Sequence, residues 1–301
     1  MTTLVTGATG LVGSELAKAL ESVVATSRNA ARAKEKLSGN ARHVIQWSPT
    51  SDPLQLADAP AIDSVVNLMG DSIAKGRWNA AKKKSMRDSR VSATERLVDA
   101  VLTLEKKPDV VVSASAVGFY GDRSDDSLTE ASSKGDGFLA DLSHDWEQAT
   151  SRLTEAGIRT VLIRIGIVLS ADGGALAEMV TPFKFGIGGP LGNGKHFFPW
   201  IHIDDLVGII LHAIRNENIS GPVNAVAPGI VTNKQWTKQL AKQLRRPAIL
   251  PVPKFALRLL LGEFADSLFF SQNVKPEAAI ASGYKFQFAD LPAALNDLLA
   301  Q

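Results

Sequence analysis

Thr2-Thr3-Leu4-Val5-Thr6 followed by Gly7-Ala8-Thr9-Gly10-Leu11-Val12-Gly13-Ser14 decides how this chain is read. The first five residues form a β-branched run that suits a buried parallel strand. Ser14 to Leu20 then form helix, with Leu16, Ala17, Ala19 and Leu20 apolar. Between them sits a glycine turn. In that context Gly7 permits the tight turn, Gly10 lets a pyrophosphate approach the backbone, and Gly13 lets helix and strand pack closely. Thr9, Leu11 and Val12 belong to the same turn, and the helix N-terminus offers free N–H groups to phosphate. A second strand, Val23 to Thr26, ends in Ser27-Arg28. An acidic residue there would accept from the ribose hydroxyls and favour NAD. Arg28 instead suits a 2′-phosphate, so the expected cofactor is NADP(H).

Composition narrows the remaining possibilities. The 301 residues suffice for one large α/β domain with an appended lobe. Basic and acidic residues number 33 and 31, giving +2, so neither nucleic acid nor an anionic membrane is expected as a partner. There is no cysteine, which excludes disulfides, thiolate nucleophiles and cysteine metal sites. The first strand begins too early for a signal peptide, and charges interrupt every apolar run, so a cytoplasmic location is expected.

Further strands are expected at His43 to Trp47, Asp63 to Leu68, Val110 to Ser115 and Arg159 to Leu169. Long helices are expected from about Asn79 to Leu104 and from Phe138 to Ala156. This alternation predicts an α/β, Rossmann-type doubly wound parallel sheet over residues 1–170, with later segments returning to it. Residues 171–301, rich in glycine and aromatic residues and then in helices, read as a smaller α+β substrate lobe. For His202 with Asp204 and Asp205 a helix N-terminus is the preferred reading, with an aspartate as cap and His202 packed; no metal site is expected.

The glycine turn, Asn67-Leu68-Met69-Gly70 and Ser113-Ala114-Ser115-Ala116-Val117-Gly118-Phe119-Tyr120-Gly121 resemble the extended short-chain dehydrogenase/reductases of nucleotide-sugar epimerase type. Asp88-Ser89-Arg90, Asp145-Trp146-Glu147, Gly188-Gly189-Pro190-Leu191-Gly192 and Trp200-Ile201-His202-Ile203-Asp204-Asp205-Leu206 resemble its uncharacterised epimerase-like branch, which ends in a domain of unknown function. The resemblance implies NADP(H) at the glycine turn, with Ser27 and Arg28 at the adenosine phosphate. It implies Leu68, Met69 and Gly70 beside the cofactor, Ser85 and Arg90 near its phosphates, Ser113 behind it and Val168 near the nicotinamide. A small-molecule substrate is expected, and a homodimer is compatible with the branch.

The wider superfamily moves its proton with a Tyr and a Lys spaced Y-x-x-x-K, the lysine lowering the tyrosine's pKa. Here those positions fall on Leu139 and Ser143, and the chain contains no Y-x-x-x-K. Ser115 matches the substrate-binding serine, and Tyr120 is the nearest tyrosine; these two are the catalytic candidates. Asp141, His144 and Lys195 lie in neighbouring segments. The expected activity is NADP(H)-dependent oxidoreduction or epimerisation of a small carbonyl or hydroxyl compound. The competing expectation is a catalytically silent NADP(H)-binding sensor or scaffold.

Overall fold

The computed structural model describes residues 1–300. Seven parallel strands form its main sheet: β1 (Thr2–Thr6), β2 (Ser22–Ser27), β3 (His43–Gln46), β4 (Ser64–Asn67), β5 (Val110–Ala116), β6 (Arg159–Ile165) and β7 (Gly221–Ala225), in spatial order β7-β6-β5-β4-β1-β2-β3. The chain is therefore α/β and Rossmann-like, as its alternating pattern predicts. The order reverses between β1 and β4, where Val5 pairs Val66 and Thr6 pairs Asn67. A crevice at the carboxyl ends of the strands is where open α/β sheets bind ligands.

Helices cover both faces. On one side α1 (Leu11–Ala19) and α8 (Ile203–Arg215) bury Leu16, Leu206 and Ile210 against Val5, Val112 and Ile163. On the other, α4 (Ala93–Thr103) buries Leu97, Val98 and Val101 against Leu4, Val65 and Val111. A separate apolar cluster, including Leu176, Phe198, Trp200, Trp236 and Leu295, forms the core of the smaller lobe. The boundary at 170 is not a clean division, because α8 and β7 return to the main sheet.

Three elements predicted as continuous are interrupted. The helix from 80 to 103 has a π turn at Asp88–Ser92 between α3 (Ala80–Arg87) and α4. The next helix divides into α5 (Phe138–Gln148) and α6 (Ser151–Glu155). The strand after it breaks at Gly166, where the backbone partner changes from Ala225 to Pro199 and a Cβ would lie 2.5 Å from the Pro199 carbonyl oxygen; its continuation, Ile167–Ser170, leaves the main sheet to pair with Trp200–His202.

Gly13 holds α1 against β1 with no room for a side chain. A Cβ would lie 2.3 Å from the Gly7 carbonyl oxygen and 2.8 Å from the Ala8 Cα. Both contacts are to backbone, so neither can swing away. Gly13→Ala is expected to lower unfolding free energy by about 1–3 kcal/mol, the range for overpacking. Urea denaturation checks this; an unchanged midpoint would show that α1 can lift off the turn.

Candidate active site

The glycine turn combines closed and open positions. Gly7 has φ +68°, and a Cβ there would meet the Leu68 carbonyl oxygen at 2.5 Å. Gly10 begins α1 and donates its N–H to the Gly7 carbonyl at 2.9 Å. The nearest atom to a Gly10 Cβ would be that same carbonyl oxygen, at 3.1 Å, and Gly10 is exposed. Gly7 and Gly13 are thus closed in by several backbone atoms, whereas Gly10 is exposed and its one close neighbour is the Gly7 carbonyl. Thr9 receives Lys36 Nζ on its carbonyl at 2.8 Å, tying α2 (Ala30–Leu37) to the turn. Leu11 and Val12 are half-buried.

Arg28 is exposed at the end of β2 and pairs with no carboxylate among the described residues. Ser27 hydrogen-bonds locally with Asn29. Across the crevice Leu68 is half-buried, Met69 buried and Gly70 exposed.

Arg90 is the charged group that stands apart. Its guanidinium carbon would be 2.9 Å from a Cβ at Gly70, and it lies 5.2 Å from the Trp146 ring centroid. Its one hydrogen bond is a long one, 3.4 Å from Nη1 to the Met86 carbonyl. Burial pulls its pKa down to about 10, against the upward pull of Asp71, so it stays charged at neutral pH. A desolvated cation without a bonded counter-charge calls for an anion. Ser85 is exposed and donates to Asp71 Oδ2 at 3.1 Å. Lys82 makes an ion pair with the same carboxylate at 2.7 Å.

Behind the crevice the strand ends are joined by buried polar groups. Asn67 Oδ1 accepts from Thr6 Oγ1 at 2.8 Å, and Asn67 Nδ2 donates to Thr94 Oγ1 at 2.9 Å and Ser113 Oγ at 3.1 Å. Trp146 Nε1 donates to the same Thr94 hydroxyl. The Ser113 side chain is therefore part of the scaffold, which leaves its surroundings rather than its hydroxyl to shape the cofactor site. Val168 is half-buried in Ile167–Ser170, opposite Ile201.

The two catalytic candidates meet in one network, but its bonds are internal. Ser115 Oγ donates to Glu147 Oε1 at 2.6 Å. Glu147 is held by Arg164 through Nε at 2.8 Å and Nη2 at 2.9 Å. Arg164 also donates to Tyr120 Oη at 3.0 Å, and Tyr120 donates to Asn224 Oδ1 at 2.7 Å. Tyr120 is completely buried, and burial raises its pKa despite the opposing pull of Arg164. The proton-transfer role expected of Tyr120 is not kept, because its hydroxyl is both sequestered and bonded on both sides. Asp141, His144 and Lys195 form no hydrogen bond with Ser115 or Tyr120.

Leu139, Ser143 and Glu147 lie four residues apart along one face of α5. A Cβ at Gly118 would touch Leu139 Cβ at 3.3 Å and Ser143 Oγ at 3.5 Å. This face looks onto the turn after β5 with an alkyl group and a small hydroxyl where the superfamily carries Tyr and Lys. The scaffold roles of Glu147, Arg164, Asn67 and Asn224 were not anticipated; a lone Glu and Arg far apart in sequence give no spacing signal.

His202, not an aspartate, caps α8: its Nδ1 accepts from the Asp204 N–H at 3.1 Å, and its ring stacks on Phe288 at 3.8 Å. Asp205 is wholly buried and accepts from the N–H groups of Gln287 and Phe288 and from the Tyr284 hydroxyl. It fastens the C-terminal segment to the first turn of α8.

Removing one partner of the buried ion pair should be more costly than removing both. Arg164→Met strands the Glu147 carboxylate and is expected to cost about 3–5 kcal/mol. Adding Glu147→Leu should recover part of that loss. Denaturant titration of the singles and the double mutant checks it; additive losses would mean that the two side chains act independently.

Residues 3–226 match the NAD dependent epimerase/dehydratase family, and residues 252–298 match a domain of unknown function, DUF1731. The epimerase family protein MT2273 of Mycobacterium tuberculosis is 39% identical over 296 residues, covering 97% of this chain and 95% of the relative. The epimerase family protein YfhF of Bacillus subtilis is 38% identical over 305 residues, covering 100% and 98%. The crystal structure of human epimerase family protein SDR39U1 (isoform 2) with NADPH has 33% identity, a TM-score of 0.89 and complete coverage of both chains.

Proposed function

Since the chain belongs to the NAD dependent epimerase/dehydratase family, we propose that it binds NADP(H) at the ends of β1, β2 and β4 and is an epimerase-like oxidoreductase acting on a small carbonyl or hydroxyl compound. The observation that carries this reading is Arg90, a half-buried guanidinium without a bonded carboxylate beside Gly70, where the strand order reverses. The open face of Gly10 and the exposed Arg28 supply the rest of an anion-binding frame. The NADPH of the human relative supports the same cofactor.

In this reading Gly10 and the start of α1 hold the pyrophosphate. Arg28 with Ser27 holds the 2′-phosphate, Arg90 neutralises phosphate charge, and Leu68 to Gly70 and Val168 line the cofactor. NADP(H) supplies or accepts hydride when bound. Ser115 orients the substrate oxygen. To donate a hydrogen bond to it, Ser115 must turn its proton away from Glu147, while Arg164 keeps that carboxylate in place.

A second reading, an NADP(H)-binding sensor without turnover, is favoured by a specific observation. Leu139 and Ser143 face the turn where a proton donor is needed, and the hydroxyls of Ser115 and Tyr120 already serve internal partners.

Of two experiments, the first tests the cofactor site common to both readings and the second separates them. Arg28→Ala is expected to weaken NADPH by about 1.5–3 kcal/mol and leave NADH nearly unchanged, since only NADPH presents the extra phosphate. Calorimetric titration with both cofactors checks it; equal losses would assign Arg28 to the fold. Next, NADPH oxidation is followed against a panel of small dicarbonyls and quinones. Slow turnover, abolished in Ser115→Ala, is expected for the enzyme. Tight NADPH binding with no compound reduced gives the sensor reading, whereas turnover that survives Ser115→Ala removes Ser115 from the site.

A further inference from the structure

The overall charge balance conceals a local imbalance. From 242 to 262 the sequence carries Lys242, Arg245, Arg246, Lys254 and Arg258 and no acidic residue. The same stretch exposes Ile249, Leu250, Phe255, Leu259 and Leu260, each between 72% and 81% accessible. Helix α10 (Lys254–Leu261, KFALRLLL) has no buried residue, although five of its eight side chains are Leu or Phe. The turn after α7 (Ala175–Lys184) lies against this stretch: the Val252 N–H donates to the Pro190 carbonyl at 2.8 Å, and the Gly192 N–H to the Val252 carbonyl at 2.9 Å. That turn adds exposed Phe185 and Ile187 beside Lys184. Of the large apolar side chains exposed among the described residues, only Met1 and Ile280 lie outside these two segments.

The helix is anchored from below. Arg77 Nη2 donates to the Leu259 carbonyl at 2.7 Å, and Lys83 pairs with Glu263 at 2.5 Å. Phe264 packs on Trp78, which packs on Phe138 at the start of α5. The apolar side chains of α10 are therefore exposed on a helix already fixed in place. A contiguous exposed apolar surface of this kind marks an interaction site.

Charge selects the occupant. A symmetric contact with a second copy would set Arg245, Arg246, Lys254 and Arg258 against their own counterparts. The nearby acids are Glu263, paired with Lys83, and Asp266, shared by Lys254 at 3.0 Å and Arg258 at 3.7 Å. An anionic bilayer meets both requirements, since its headgroups match the cations and its acyl boundary accepts Phe and Leu. We infer that α10 and the adjoining 185–191 and 245–251 segments form a docking surface for anionic lipid membranes. The expectation of no membrane partner rests on total charge, and this proposal departs from it on local charge.

The full-length protein is tested by flotation with phosphatidylcholine vesicles, with and without phosphatidylglycerol. Binding is expected only to the anionic vesicles and should fall as salt rises. Arg245→Gln with Arg246→Gln should lower the partition coefficient about fivefold per charge removed. Leu259→Glu with Leu260→Glu should abolish flotation and leave NADPH affinity intact, the latter reporting a folded protein. If that pair fails to fold, the exposed arginine pair carries the test by itself. No flotation with anionic vesicles, or equal flotation with neutral ones, overturns the inference. So does a wild-type dimer that Leu259→Glu with Leu260→Glu converts to monomer without any effect on vesicles, which would assign the face to a second copy. Cofactor binding is read separately, so either result stands whether or not the chain turns over substrate.

Discussion

The Arg164–Glu147 pair is the constraint on which the reacting end of the sheet depends. Its two parallel hydrogen bonds join β6 to α5, and its further bonds reach Ser115 on β5, Tyr120 in the following turn and, through Tyr120, Asn224 on β7. The guanidinium also lies 3.6 Å from the Phe119 ring centroid, which covers its face. Desolvating such a pair is costly, and only complete satisfaction of its donors and acceptors offsets the cost. Completeness explains why two residues that look catalytic in sequence are engaged internally: Ser115 and Tyr120 both hydrogen-bond to members of the pair.

The cofactor end is built on the opposite principle. There the protein closes one buried polar cluster, Thr6–Asn67–Ser113–Thr94, beneath the strand ends. It leaves Gly10, Arg28 and Arg90 unmatched above it. Charged groups taken partly out of water are ordinarily paired, so a half-buried Arg90 with one long hydrogen bond and no bonded carboxylate is suited to an anionic ligand. The π turn at Asp88–Ser92 belongs to the same picture. It interrupts the helix at the residue that must face the crevice, while Ser89 is held by the Asp71 N–H at 3.0 Å. Such turns recur at functional sites.

What the sequence made legible was whatever depends on neighbours in the chain. The glycine turn and the alternation of strand and helix are set by local periodicity and turn chemistry, and they lie where they were expected. Features that depend on distant partners were not legible. Gly166 breaks a strand because of Pro199, and His202 displaces the aspartates as a cap because its ring stacks on Phe288. The Glu147–Arg164 pair links residues 17 apart in sequence on different elements. Averaged charge is silent for a related reason: a sum over 301 residues cannot report that residues 242–262 carry five basic side chains and no acidic one.

The two ends of the crevice together say what this protein has in hand and what it lacks. Binding energy for an anionic dinucleotide is available, since unneutralised cations and an open backbone need no rearrangement to accept phosphate. A proton path is not available in the same sense. Leu139 and Ser143 cannot carry one, and Ser115 can release its hydrogen bond only if Glu147 keeps its two bonds to Arg164. That condition is met by the geometry, because the carboxylate has both oxygens on Arg164 and does not rely on the serine for its charge balance. Ser115 is therefore the one hydroxyl in the network whose loss of partner leaves no buried charge uncompensated, whereas freeing Tyr120 would leave Arg164 and Asn224 each short of a bond. Of the two hydroxyls, the serine's is therefore the one that can exchange its partner at the smaller electrostatic cost.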